Sequence, residues 1–96
     1  MELADIRRLL DSHRTELRDL GVSSLRVFGS VARGEAGPSS DIDLLVDGFD
    51  SFSLFRLVTI QDRLEQWLGT SVDLVTEGGL PAWMRDRVLH EAKDVA

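Results

Sequence analysis

Hydrophobic residues recur at helical spacing in three parts of the chain. Over the first 20 residues they lie three, four and seven positions apart, which predicts an amphipathic helix that stops at Gly21. A second helix is predicted from an N-cap at Ser53 to Gly69, and a third from Pro81, which suits the first position of a helix. The predicted apolar side of the second helix comprises Leu54, Leu57, Val58, Leu64 and Leu68.

Between these helices lie three short segments with strand character, residues 25–28, 41–46 and 71–76. The second alternates at first and then becomes continuously apolar, which is typical of a largely buried strand. Small and turn-forming residues fill 34–40 and predict a loop. The order is helix, strand, short helix or loop, strand, helix, strand, helix. It predicts an α/β fold with a small sheet and flanking helices, in a single domain over residues 1–96.

The charge balance and the absence of cysteine narrow the chemistry. Seventeen Asp and Glu against 11 Lys and Arg give a net charge of −6, without the Lys/Arg block that a long nucleic acid or an anionic membrane requires. The lack of cysteine excludes a disulfide, a thiol nucleophile and a cysteine-bound zinc, and His13 and His90 form no metal-binding pair. Oxygen ligands remain, which favours Mg²⁺. There is no signal peptide and no apolar run of about 20 residues, so we expect a cytoplasmic protein.

Three aspartates stand in segments that otherwise have the composition of buried strands. Asp41 and Asp43 are two positions apart and should point to the same face of the sheet, and Asp73 can share that face if the third strand neighbours the second. Such carboxylates repel one another unless a cation joins them. One interpretation is that they are solvent-facing residues that discourage edge pairing. The other, which we favour, is a metal site.

A glycine-serine pair follows the first predicted strand. Gly29 and Ser30 precede Val31, where a helix can start, so backbone N–H groups and a hydroxyl would face an anion such as phosphate. Arg33 follows the turn closely enough to reach that phosphate. The alternatives are an ordinary strand-to-helix turn with Ser30 as N-cap, and a solvated Arg33 in a loop.

The combined pattern resembles a known family. Gly29 and Ser30, ten residues, and then Asp41, Ile42 and Asp43 match the nucleotidyltransferase signature of the polymerase-beta-like superfamily. The strings at 28–35 and 40–46 closely resemble the minimal nucleotidyltransferases, or MNT proteins, and those at 72–76 and 80–92 are similar to that family's third strand and final helix. The resemblance implies the polymerase-beta-like nucleotidyltransferase fold, an α-β-α-β-α-β-α arrangement with a small mixed sheet.

The resemblance also implies an activity and a partner. MNT proteins move a nucleoside monophosphate, usually AMP from ATP, to a hydroxyl, and many are antitoxins that adenylylate a tyrosine of a HEPN-domain RNase toxin. By matching position, Asp41 and Asp43 would hold two Mg²⁺ ions and Asp73 would complete the site on the acceptor side. Ser30 and the backbone of Gly29 would hold the β- and γ-phosphates.

Two other functions are compatible with these residues. The chain would be a non-catalytic antitoxin if it neutralised the toxin by steric contact alone. Aminoglycoside nucleotidyltransferases share the signature but bind the acceptor with an added helical domain, for which 96 residues leave no room, so we expect a protein to supply the acceptor. Trp67 is predicted in a helix core position. Trp83 and Met84 suit either the core or a partner surface.

Overall fold

The computed structural model describes residues 1–35, 37 and 41–96. Of the predicted loop at 34–40, residues 36 and 38–40 lie outside the described residues. In chain order the elements are α1 (Leu3–Asp11), α2 (Arg14–Asp19), β1 (Val22–Phe28), α3 (Gly29–Ala32), β2 (Ile42–Gly48), α4 (Leu54–Leu68), β3 (Val72–Thr76), a 3₁₀ turn (Glu77–Gly79), α5 (Ala82–Glu91) and β4 (Lys93–Asp94).

The four strands form one mixed sheet in the order β3-β2-β1-β4. Strand β1 runs antiparallel to β2 and to β4, whereas β2 and β3 are parallel. In the parallel pair, Ile42 lies opposite Val72 and Asp43 lies opposite Asp73. The predicted α/β fold with a small mixed sheet and flanking helices is confirmed.

Side chains on the two faces of the sheet pack against different helices. Alternate residues of β2, namely Ile42, Leu44 and Val46, join the larger buried cluster, which includes residues of α1 and α4. Leu45 points the other way, into a smaller cluster with Val88 of α5. Because side chains alternate along a strand, Asp43 shares the face of Leu45. The predicted core-facing side of β2 is therefore as expected, and the aspartate face is the one that α5 covers.

The prediction of one continuous helix over the first 20 residues is wrong. The helix is broken at Ser12 and His13, where the His13 N–H donates to the Leu10 carbonyl at 3.0 Å, a three-residue spacing. The His13 ring stacks on Trp67 with centroids 4.2 Å apart. This long-range contact accompanies the break, and Trp67 packs against the core as predicted.

Helix α4 has the predicted ends but not the whole predicted apolar side. The Ser53 hydroxyl accepts the N–H of Arg56 at 3.1 Å, and Gly69 ends the helix with φ of +72°, a conformation that favours glycine. Leu54 and Val58, however, are 77% and 52% exposed. The buried side of α4 begins further along the helix and consists of Ile60, Leu64 and Leu68.

The last strand is a feature that periodicity did not predict. Lys93–Asp94 pairs with β1, and three further backbone bonds involve Leu25. The Leu25 carbonyl accepts from the Val95 N–H at 2.9 Å and from the Ala96 N–H at 3.3 Å, and the Leu25 N–H donates to the Ala96 carbonyl at 3.0 Å. Because β4 follows α5 almost directly, this pairing fixes the C-terminal end of α5 beside β1. Among the described residues no helix is long and apolar enough to cross a membrane.

Candidate functional site

The Gly29–Ser30 turn lies where β1 passes into the short helix α3. Gly29 has φ of +70°, which L-amino acids with a side chain rarely adopt. A Cβ atom at this position would overlap the carboxylate of Asp43 on the neighbouring strand. Glycine is therefore required both by the backbone conformation and by the close approach of the turn to Asp43.

Two of the three predicted aspartates face the same cleft as this turn. Asp43 and Asp73 are register partners on the parallel strands β2 and β3. Together with Gly29 and Ser30 they line a cleft of about 510 Å³ beneath α5. Asp41 is exposed and lies one residue before β2 begins, so it is in the segment that leads into the strand. Another cavity, of about 370 Å³, lies between the N-terminal residues and α3 and contains none of these aspartates.

The pKa of Asp43 depends on its partial burial and on the charges of the other two aspartates. Partial burial, followed by the negative charges of Asp73 and Asp41, raises the pKa of Asp43 above its usual value. Arg33 acts in the opposite direction, and Glu91 adds to the increase. The acidic side chains therefore lie close enough to repel one another, which is an arrangement that a bound cation would relieve.

The acidic side chains do not form a preassembled set of metal ligands. Across residues 1–35, 37 and 41–96, no three His, Cys, Asp or Glu side chains are grouped closely enough to bind one ion. The donor type nevertheless fits a hard cation, because carboxylate oxygens are the ligands that Mg²⁺ prefers.

Glu91, at the end of α5, is a site residue that the sequence did not single out. Its Oε1 atom accepts the Gly29 N–H at 3.0 Å, and the Arg33 Nη1 atom donates to Oε1 at 3.3 Å and to Oε2 at 3.2 Å. The Glu91 side chain is only 18% exposed. No local pattern could reveal this contact, because Gly29 and Glu91 are 62 residues apart.

Arg33, predicted as a phosphate-binding cation, is held between two carboxylates. Besides the contacts with Glu91, its Nε atom donates to Glu35 Oε2 at 3.2 Å. Hydrogen bonds to Glu35 first, and then to Glu91, raise the pKa of Arg33 above its usual value. Arg33 lines the cleft, but its positive charge is already balanced within the protein.

Helix α5 forms the second wall of the cleft. Met84 of α5 and Leu80, which precedes the helix, contribute an apolar surface, and Arg87 of α5 also lines the cleft. Met84 packs against the smaller hydrophobic cluster, whereas its neighbour Trp83 is 78% exposed. Met84 thus takes the core position that was one of the two predicted alternatives, whereas Trp83 is exposed and its role in a partner surface stays a prediction.

Comparison with known proteins identifies related sequences. The family model described as nucleotidyltransferase domain matches residues 10–95. The chain is 40% identical over 92 residues to protein adenylyltransferase MntA of Thermococcus cleftensis, a match that covers 95% of this chain and 93% of that protein.

Solved structures with the same fold include toxin–antitoxin complexes. One chain, from a toxin–antitoxin structure with AMP-PNP, has a TM-score of 0.76 at 23% identity, with 94% of this chain and 72% of that chain covered. Another comes from a tri-AMPylated Shewanella oneidensis HEPN toxin in complex with MNT antitoxin. It has a TM-score of 0.66 at 22% identity, with 94% of this chain and 71% of that chain covered. At these identities the likeness concerns the fold.

Proposed function

Because this chain belongs to the nucleotidyltransferase domain family, we propose that it is a Mg²⁺-dependent protein adenylyltransferase that moves AMP from ATP to a tyrosine hydroxyl of a HEPN-domain toxin and thereby acts as its antitoxin. One observation carries the proposal: the Gly29–Ser30 turn packs directly on Asp43, which is the register partner of Asp73 in the same cleft. The setting for this reaction is the cytoplasm of a prokaryotic cell.

The turn binds the triphosphate in this proposal. Gly29 contributes space, because it has no side chain over Asp43 and its N–H already bonds to Glu91. Ser30 contributes the donors, from its hydroxyl and from its backbone N–H at the start of α3. The turn thus holds the β- and γ-phosphates next to the carboxylates.

The three aspartates provide the ligands for the metal ions. Asp41 and Asp43 would hold two Mg²⁺ ions, with Asp73 on the acceptor side. Partial burial and then the charges of Asp73 and Asp41 raise the pKa of Asp43, and a cation bound there would offset this repulsion. When bound, these ions neutralise charge on the entering and leaving oxygens of the phosphoryl group.

Proton transfer and bond changes complete the reaction. The acceptor oxygen forms a bond to the α-phosphorus, the bond between the α-phosphorus and the bridging oxygen breaks, and pyrophosphate leaves. Asp73, which is exposed at the cleft, accepts the proton of the acceptor hydroxyl. No covalent intermediate with this chain is required.

Transfer of a label from α-labelled ATP tests the proposal. The protein, Mg²⁺ and the HEPN-domain protein encoded beside it should give a labelled HEPN protein, and replacement of its tyrosines should abolish the label. Asp43→Asn should reduce labelling by at least 100-fold, whereas Asp62→Asn, at an exposed position of α4, should leave it unchanged. An unlabelled HEPN protein, with the wild-type chain folded and Mg²⁺ present, would contradict the proposal.

Neutralisation by binding alone is the second candidate function. The observation that favours it is the exposure of Trp83, because an exposed tryptophan is a frequent anchor of protein interfaces. The Asp41→Asn, Asp43→Asn double variant separates the two functions. If this variant protects cells from the toxin as well as the wild type does, binding is sufficient and transfer is not the basis of neutralisation.

A further inference from the structure

The described residues that line the cleft carry unequal charges. Three are acidic, Asp43, Asp73 and Glu91, and two are basic, Arg33 and Arg87. Arg33 is engaged by Glu35 and Glu91. Arg87 is exposed, and no ion pair or hydrogen bond joins its guanidinium to another described side chain. Of the two described arginines that line the cleft, Arg87 is therefore the one whose positive charge no described carboxylate pairs with.

The position of Arg87 is fixed by the helix that carries it. Met84, Arg87, Val88 and Glu91 follow the i, i+3, i+4 and i+7 spacing of one helix face and all line the cleft, so they occupy one side of α5. Val88 is buried, and Glu91 is bonded to the Gly29 N–H. Arg87 lies one turn before Glu91, about 6 Å along the helix axis. Its side chain therefore starts from a rigid wall beside the phosphate-binding turn.

We infer that Arg87 binds phosphate oxygens of the nucleotide and of the released pyrophosphate. This inference rests on the proposed function, because it places the triphosphate between the Gly29–Ser30 turn and α5. Arginine suits this task since its planar guanidinium donates two parallel hydrogen bonds to a phosphate. The task falls to Arg87 rather than to Arg33, because Arg33 would have to leave Glu35 and Glu91 to contact a phosphate.

Binding measured without an acceptor protein tests the inference independently of activity. The full chain is titrated calorimetrically with Mg²⁺-ATP and, separately, with Mg²⁺-pyrophosphate. Arg87→Gln should weaken both by about 10-fold or more, the effect of losing a hydrogen bond to a charged group. The matched control is Arg63→Gln, which removes the same charge from an exposed position of α4. Thermal unfolding should be alike for the two variants, because neither arginine has an ion pair with another residue that the structure describes.

Three other results would overturn the inference, and each would identify a different reason for its failure. If Arg87→Gln binds both ligands as tightly as Arg63→Gln does, Arg87 is not a phosphate ligand, and the proposed function is unaffected. If Arg87→Gln weakens only association with the HEPN protein, the arginine is a partner contact. If the wild-type chain binds neither ligand, the proposed function fails and the inference fails with it.

Discussion

The carboxylate of Glu91 accepts the backbone N–H of Gly29 at 3.0 Å, which joins the end of the last long helix to the turn that begins α3. The same carboxylate holds Arg33. The turn is therefore held from two directions, since Asp43 lies against its other side. The geometry of the candidate site thus depends on a residue of α5 as much as on the turn and the aspartates.

Removal of the Glu91 carboxylate should loosen this turn. We expect Glu91→Ala to lower the free energy of unfolding by about 1.5–3 kcal/mol, the range for a lost hydrogen bond that involves a charged group, and to raise the KM for ATP. Glu91→Gln keeps a carbonyl acceptor for the Gly29 N–H and should lower the free energy of unfolding by less. Glu35→Ala is the control, because it removes one partner of Arg33 but leaves the Gly29 bond intact. Equal effects of Glu35→Ala and Glu91→Ala in urea denaturation would show that the bond to Gly29 contributes nothing.

A comparison of Gly29→Ala with Gly69→Ala should separate the cost of backbone strain from the cost of steric overlap. Gly69 has nearly the same positive φ as Gly29, +72° against +70°, but a Cβ atom there would meet no atom within 4 Å. Gly69→Ala therefore reports the conformational cost alone, about 1–2 kcal/mol. Gly29→Ala should cost more, because the new methyl group also displaces the Asp43 carboxylate. It should also abolish transfer, whereas Gly69→Ala remains active. Equal losses of stability, measured by urea denaturation, would mean that the turn can move away from Asp43.

Asp43→Asn should stabilise the metal-free protein while it removes activity. A raised pKa means that the folded state disfavours the charged form, so this carboxylate destabilises the fold once it is ionised. The gain in free energy of unfolding should be within about 1 kcal/mol, since the group is partly exposed. The difference between variant and wild type should be smallest below pH 3.8, the usual pKa of the group, and should grow until the pH has passed the folded-state pKa of Asp43, which lies above that value.

The effect of Mg²⁺ on the melting temperature should also differ between the wild type and Asp43→Asn. At pH 7 the ion should raise the melting temperature of the wild type, because it relieves the repulsion among the carboxylates. It should have a much smaller effect on Asp43→Asn. If added Mg²⁺ shifts both melting temperatures equally, the ion does not bind at the cluster of Asp41, Asp43 and Asp73.

Replacement of Trp83 should weaken recognition of the acceptor protein and should not affect nucleotide binding. We expect Trp83→Ala to reduce kcat/KM for the HEPN protein by about 30-fold, the effect of losing an interface anchor of about 2 kcal/mol. Mg²⁺-ATP binding and thermal stability should stay unchanged because the side chain is largely exposed. Phe55→Ala, which removes an aromatic side chain from an even more exposed position on α4, is the matched control. If Phe55→Ala instead impairs transfer and Trp83→Ala does not, the acceptor docks on α4.

Local signals in the sequence predicted the parts of the structure that depend on short-range chemistry. The cap at Ser53 and the positive φ of Gly69 lie at the predicted ends of α4. Asp73 was predicted to share the face of Asp43 if the third strand neighbours the second, and in the parallel pair of β2 and β3 the two residues lie opposite each other. The requirement for glycine at position 29 follows from its positive φ and from its packing on Asp43, a contact that the sequence did not predict.

Features that depend on distant residues could not be predicted in this way. The break at His13 accompanies stacking on Trp67, and the pairing of Arg33 with Glu91 joins α3 to α5. Strand β4 has only two residues, which is too short for any periodicity to show. Asp41 was expected within a strand, but β2 begins only at Ile42.

The pairing of β4 with β1 has a practical consequence for work on this protein. Glu91 is two residues before β4, and Val95 is buried beyond it, so any change at the C-terminus acts close to the Gly29 contact. Deletion of residues 93–96 would leave the outer edge of β1 unpaired and release the end of α5. Substitutions at residues 93–96 therefore act on the strand that keeps Glu91 in place, and they are unsuitable as surface controls for variants of the candidate site.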